Sequence, residues 1–275
     1  MNCAWDNLLG ILPHRLRPEI DRLGKDDLQE LRFRINAPPQ LILHSGEIWL
    51  DDVTSEKDIS FILNAASQYS PWSATTLTKG FIRVSGGHRI GVCGDVLCKE
   101  GTVLTIQKVR SLCIRVARDY TEIARGLQGI HDSVLIIGAP GWGKTTLLRD
   151  LIRKISDHQH VAVVDERGEL FPEGFLKGKR MDVLTGCTKA QGIEMLLRTM
   201  GPQYIAVDEI TAEEDCRAIV QAANCGVHLL ATCHGSSSQD LTHGSVYRML
   251  SERHIFQTIL LLKKDKSYTV ERMAA

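Results

Sequence analysis

The sequence predicts an α/β protein in two parts: a smaller α+β domain over residues 1–126, then a core on a mainly parallel sheet over residues 127–275. Three observations carry this. Val134–Ile137 is a short apolar run that passes through the glycine-rich stretch Gly138–Gly143 into a helical pattern from Thr145 to Ile155. Further apolar runs at Val161–Val164, Tyr204–Val207 and His228–Thr232 are separated by helical periodicity, and strand–helix alternation of this kind builds parallel sheets. The first half shows period-two alternation between glycine turns, the pattern of antiparallel strands. At 275 residues the chain is longer than one small core needs, so two domains are expected.

Taken in order, Trp5–Leu12 and Pro13–Leu23 predict short helices, with Leu16, Ile20 and Leu23 at helical spacing. Leu31, Phe33 and Ile35 alternate with Arg32, Arg34 and Asn36 as a half-buried strand that Pro38-Pro39 stops. Gln40–His44 and Glu47–Leu50 form a hairpin about Ser45-Gly46. Ser55 and Asp58 have the spacing of a helix cap, followed by an apolar face of Ile59, Ile62, Leu63 and Ala66. Strands are expected at Phe81–Val84, His88–Val96, Thr102–Lys108 and Leu112–Val116, then a linking helix over Tyr120–Leu127. The arginines of this sheet, among them Arg83, Arg89, Arg110, Arg115 and Arg118, fit its solvated face. The chain closes with a hairpin, Ile259–Lys263 and Tyr268–Arg272, about Asp265-Lys266.

Composition is that of an ordinary soluble globular chain, 43% hydrophobic and 24% charged. Lysine plus arginine equals aspartate plus glutamate at 33 each, which gives no electrostatic ground for bulk nucleic-acid binding. The eight cysteines form no C-x-x-C pair and point to a reducing, ATP-containing compartment. Cys225, His228, Cys233 and His234 are close in sequence, but a strand between them splits the set across two faces, which favours structural or catalytic roles over a metal. The first residues lack a basic segment followed by an apolar one. No stretch approaches a spanning helix, so any membrane association is expected to be peripheral.

The chemistry centres on Gly138-Ala-Pro-Gly-Trp-Gly-Lys144-Thr145, which fits G-x-x-x-x-G-K-[ST] between a strand and a helix. Glycines there let successive N–H groups turn toward phosphate, and the helix adds its positive end. Gly138, Ala139, Pro140, Gly141, Trp142, Gly143, Lys144, Thr145 and Thr146 are the expected nucleotide-binding residues, with Lys144 on the β/γ-phosphates and Thr145 on Mg²⁺. Tyr204–Val207 running into Asp208-Glu209 is a Walker B element, its strand expected beside the phosphate-loop strand. Asp208 is the second Mg²⁺ residue, and Glu209 the base for the attacking water. Asp165, Glu166, Thr232 and His234 fall at the same carboxyl ends, where open α/β sheets bind ligands.

These residues resemble the stage III sporulation protein AA family. The shared stretches are G-A-P-G-W-G-K-T-T-L-L-R-D-L, V-V-D-E-R-G-E, D-V-L-T-G-C-T-K-A, Y-I-A-V-D-E-I-T-A-E-E-D and A-A-N-C-G-V-H-L-L-A-T-C-H-G. L-Q-E-L-R-F-R-I-N, G-F-I-R-V-S-G-G-H-R-I-G-V-C-G and S-L-C-I-R-V-A-R match in the first half. The family is similar to the hexameric ATPases of type II and type IV secretion and pilus motors, so the resemblance implies a RecA-like P-loop ATPase core assembled as a ring, with ATP and Mg²⁺. Their acidic box is matched by Asp165 and Glu166 and their histidine box by His234, which makes Lys144, Glu209, Glu166 and His234 the implied catalytic set. Arg89 and Arg115 match arginines that reach phosphates in such rings, so an isolated subunit is expected to hydrolyse slowly. Two departures stand out: Asp208-Glu209 where many secretion ATPases have Gly-Glu, and Thr211 where they carry an arginine.

The implied role is that of an ATPase in the mother-cell cytoplasm, peripheral at the membrane through channel proteins of the same operon, with no stable nucleic-acid partner. Two alternatives stay open on sequence: a nucleic-acid-associated P-loop ATPase, and an assembly module in which nucleotide cements a ring without turnover.

Overall fold

The structure, a computed structural model, describes residues 1–67, 80–127, 129–238 and 246–273. Packing divides the chain into two compact units: Met1–Asp119 with Pro172–Phe175, and Tyr120–Phe171 with Leu176–Ala275.

Among the described residues the first unit is a six-stranded antiparallel sheet carrying three helices. Its strands are β1 (Leu28–Arg34), β2 (Gln40–Leu43), β3 (Glu47–Trp49), β4 (Phe81–Arg83), β5 (Arg89–Lys99) and β6 (Thr102–Arg115), in the order β3-β2-β1-β6-β5-β4. Helices α1 (Trp5–Gly10), α2 (Arg17–Leu23) and α3 (Glu56–Ser67) pack Leu8, Ile20, Ile59 and Ile62 against Leu31, Phe33, Ile90 and Ile114 of one sheet face. The cap at α3 forms as the spacing predicts: the Asp58 N–H donates to Ser55 Oγ (3.2 Å) and the Ser55 N–H to Asp58 Oδ2 (2.8 Å).

Helix α2 starts at Arg17 rather than Pro13, because Pro18 has no N–H and is tolerated only in a first turn. The two strands expected over Thr102–Lys108 and Leu112–Val116 are one, β6, paired along β5 with three register shifts. Gly94 sits at one of them, where a Cβ would lie 1.9 Å from the Lys108 carbonyl oxygen. Only glycine permits that approach.

The second unit holds β7 (Val134–Ile137), β8 (Val161–Asp165), β9 (Met181–Thr185), β10 (Tyr204–Val207), β11 (His228–Cys233), β12 (Thr258–Leu262) and β13 (Tyr268–Arg272), in the order β13-β12-β7-β11-β10-β8-β9. Every neighbouring pair is parallel except β12–β13. Helix α4 (Lys144–Ser156) packs Leu147, Leu148, Leu151 and Ile152 on the face that carries Val134, Ile136, Val163 and Leu230. Helices α5 (Lys189–Thr199) and α6 (Glu213–Asn224) cover the opposite face, with Leu135, Ile137, Val164 and Leu229. Short α7 (Arg248–Glu252) adds Leu250 to that second cluster. Alternate residues of one strand thus enter two cores, which is why β7, β8 and β10 read as unbroken apolar runs.

Three expectations for this half are corrected. Tyr120–Leu127 is a chain of turns, not a helix, because side chains of α4 take its backbone groups. The N–H groups of Glu122 and Ala124 donate to Asp150, and Lys154 donates to the carbonyls of Ala124, Arg125 and Leu127. Edge strand β9 was not expected at all. The Asp208 strand, β10, does not lie beside β7: β11 is inserted, hydrogen-bonded to both.

Candidate functional site

The carboxyl ends of β7, β11 and β10 are in register, Ile137 opposite Cys233 and Val207 opposite Ala231. The segments leaving these strands therefore converge on one edge of the sheet. The loop after β7 has Gly141 at φ +77° and Gly143 at φ +101°, conformations that favour glycine. Gly143 is the N-cap of α4, and no side chain caps the helix there. A row of backbone N–H groups and the positive helix end are what phosphate binds.

Lys144 is buried, and its Nζ donates to the carbonyls of Gly138 (2.9 Å) and Ala139 (3.1 Å) and contacts His234 Nδ1 at 3.1 Å. Burial pushes the Lys144 ammonium below its ordinary pKa, and the nearby carboxylates of Asp208 and Glu209 partly oppose this. A lysine ammonium has donors only, so Nδ1 of His234 accepts, and Nε2–H is left to donate to Glu209 Oε1 at 2.6 Å. The other Glu209 oxygen accepts from Arg167 Nη1 at 2.9 Å. Burial alone would raise the Glu209 pKa; the His234 hydrogen bond with the charges of Arg167 and Lys144 outweighs it and holds the carboxyl below its ordinary range.

Glu209 has φ +55°, a left-handed conformation that costs a non-glycine residue on the order of 1 kcal/mol or more. Thr232 holds it there. The Glu209 N–H donates to Thr232 Oγ1 (2.8 Å), the Ile210 N–H to the Thr232 carbonyl (2.8 Å), and the Thr232 hydroxyl donates to Asp208 Oδ1 (2.6 Å). Thr232 is wholly buried and its hydroxyl is engaged on both sides, so it supports the Asp-Glu pair. Through it Asp208 spans the inserted strand, and Thr145 Oγ1 donates to Asp208 Oδ2 at 2.7 Å. These are two hard oxygen donors at the start of α4. Among the described residues no group of three or more His, Cys, Asp or Glu could hold a metal ion. As hard oxygen donors the two residues fit Mg²⁺, whose remaining positions water and phosphate oxygens would fill.

The acidic segment after β8 behaves differently. Asp165 accepts the N–H groups of Glu169 (2.8 Å), Leu170 (3.0 Å) and Phe171 (2.9 Å), which makes it a loop anchor. Glu166 bonds Lys189 Nζ at 2.6 Å, and Lys189 also lies 3.6 Å from Asp215. Sequence reasoning gave no role to Arg167 or Lys189; the clue to Arg167 was its place directly after the acidic pair. In the first unit, Arg89 and Arg115 are cross-strand partners. The Arg89 guanidinium lies 3.9 Å over the Phe81 ring, and Arg115 pairs with Glu30 at 3.4 Å. Of the cysteine–histidine set, Cys225 is exposed, Cys233 is buried, and His228 stacks near Tyr204 with ring centroids 5.1 Å apart.

A phosphate loop on a parallel sheet, with an Asp-Glu pair one strand removed, defines a P-loop protein with a RecA-like α/β core. The chain belongs to the family described as sporulation stage III, protein AA, whose profile matches residues 5–272. It is 34% identical to stage III sporulation protein AA of Bacillus subtilis (strain 168), over 93% of this chain and 90% of that protein. Its fold is similar to the pilus retraction motor PilT with bound ADP, at TM-score 0.64 and 16% identity over 93% of this chain and 80% of that one. It is also similar to the Legionella pneumophila ATPase DotB, at TM-score 0.59 and 16% identity over 94% and 78%. No described helix is long and apolar enough to cross a membrane.

Proposed function

We propose that this chain is a Mg²⁺-dependent ATPase of the secretion-motor type that works during sporulation. The observation that carries it is the convergence of Lys144, Thr145, Asp208, Glu209 and His234 on one sheet edge through contacts of 2.6–3.1 Å. The loop from Gly138 to Thr146 holds the phosphates, with Lys144 exchanging its carbonyl partners for phosphate oxygens. Thr145 and Asp208 hold Mg²⁺, which when bound neutralises charge on the β- and γ-phosphates. Glu209 takes the proton of the attacking water, and His234 orients it through Nε2–H. Both Glu209 oxygens are engaged, so this is a resting arrangement; the Arg167 contact is the one to open, since Arg167 is the more exposed partner at 58%. Glu166, paired with Lys189 at 2.6 Å, lines the same small cavity as Asp208 and Glu209 and borders the site.

Arg89 and Arg115 complete a neighbour's site in a ring, a hexamer by analogy with secretion motors, so isolated subunits turn over slowly. The ring stands in the mother-cell cytoplasm against membrane-embedded channel proteins of its own operon. Family membership supports this placement. The decisive measurement is nucleotide binding and phosphate release by Glu209→Gln, alongside ring mass. ATP binding retained with turnover lowered about 10²–10⁴-fold is expected for loss of a general base. Wild-type turnover in the folded variant refutes the assignment. Rings that form on nucleotide without any phosphate release by the wild type support an assembly module instead.

A further inference from the structure

Beside the phosphate loop, wholly within the second unit, lies a cavity of 270 Å³ whose walls come from three distant segments. Tyr120 comes from the turns before β7, Trp142 from the phosphate loop itself, and Leu262, Lys266 and Tyr268 from the C-terminal hairpin. Gly141, Gly143 and Thr146 line the side formed by the phosphate loop. A chain that is only 5% aromatic places three half-buried rings around this one space. Trp142 and Tyr268 both rest on the core cluster that includes Leu262, so they are backed by packed side chains.

The cavity is below the roughly 300–1,000 Å³ of sites that enclose a drug-sized ligand, and so suits one flat ring system. Apolar and aromatic walls attract planar heterocycles by stacking. Among the described residues Lys266 is the only charged one in the lining, and as a donor-only group it matches ring nitrogens or ribose oxygens. Phosphate binding needs no indole: the loop works through backbone N–H groups, so Trp142 at a variable position of the motif calls for another explanation.

We infer that Trp142, Tyr120 and Tyr268 form the base-binding platform, taking the purine ring of a nucleotide whose phosphates rest on Gly138–Thr146. This deepens the ATPase reading and rests on it. Titration of the full chain with MgATP and with inorganic tripolyphosphate tests the two separately, because tripolyphosphate has no base. Tyr268→Ala is expected to weaken MgATP about tenfold (about 1.4 kcal/mol) and leave tripolyphosphate unchanged, with Tyr268→Phe restoring affinity. Trp142 fluorescence should respond to MgATP and not to tripolyphosphate, with Trp142→Phe as the control. Should Tyr268→Ala melt early, Tyr120→Ala is read in the same way. Unchanged MgATP affinity in a variant that melts like wild type, or equal affinity of the wild type for both ligands, overturns the platform while the phosphate loop stands. Failure of either ligand to bind wild-type protein overturns the nucleotide reading itself.

Discussion

The two sheets solve the burial of apolar surface in opposite ways. In the antiparallel sheet β1 alternates buried Leu31 and Phe33 with partly exposed Arg32 and Arg34, so one face meets the helices and the other carries charge. In the parallel sheet β7 is buried at all four positions and shares its residues between two cores. A sheet covered on both faces leaves room for polar side chains chiefly at and beyond its strand ends. Lys144, Asp208, Glu209 and His234 lie there, and burial and neighbouring charges displace the ionisation of Lys144 and of Glu209. In the first unit arginines find acids across the open face, as Arg110 does with Asp95 at 2.7 Å, where water weakens the pair.

Substitutions can break this contrast. Leu148→Ala, in the doubly covered core, should cost about 2–5 kcal/mol in denaturant unfolding. A loss under 1 kcal/mol would mean that α4 is not packed as described. Thr232→Val keeps the shape but strips the hydroxyl from Asp208 and the Glu209 N–H, for about 1–3 kcal/mol. It should also lower phosphate release more than MgATP affinity, whereas Thr232→Ser keeps both.

A smaller effect is expected from His88, a buried residue of the first unit. Its Nδ1 accepts the Ala117 N–H (3.1 Å), and its Nε2–H donates to the Ala4 carbonyl (2.9 Å). Burial pushes this ring below the ordinary pKa of 6.5, so the unfolded chain binds the proton more readily. The stability it contributes is intact above that value and lost as pH falls through the folded-state pKa. Melting points from pH 7.5 down to 5 should therefore fall more steeply for wild type than for His88→Gln; parallel curves would discount the ring. Least affected should be Arg110→Ala, whose exposed pair with Asp95 water screens; its denaturation midpoint should match wild type, and a clear drop would show that the open face is not solvated.

Much of the parallel half was legible because its signals are local. The phosphate loop is contiguous, the buried strands are continuous apolar runs, and Asp208-Glu209 follows one of them. What escaped depends on distant partners. Nothing within Tyr120–Leu127 reveals that Asp150 and Lys154 will take its N–H and carbonyl groups, and its composition reads as a helix. Strand order was equally hidden, since β11 comes after β10 in sequence yet sits before it in space. Glu166 and Thr232 were placed at the right edge, but Lys189 and the Glu209 backbone decide where their polar atoms go. Strand β9 has too few apolar residues to stand out and forms because β8 offers it an edge.

Helix α4 is tethered along its flank as well as at its start. Arg153 donates to the carbonyls of Tyr120 (3.1 Å) and Leu176 (2.8 Å), the first residues after each place where the chain returns to the second unit. Asp150 and Lys154 grip the neighbouring backbone. The helix is in effect a bollard: both lengths of chain that re-enter this unit are made fast to its side. One side chain, Arg153, thus fixes both points of re-entry at once.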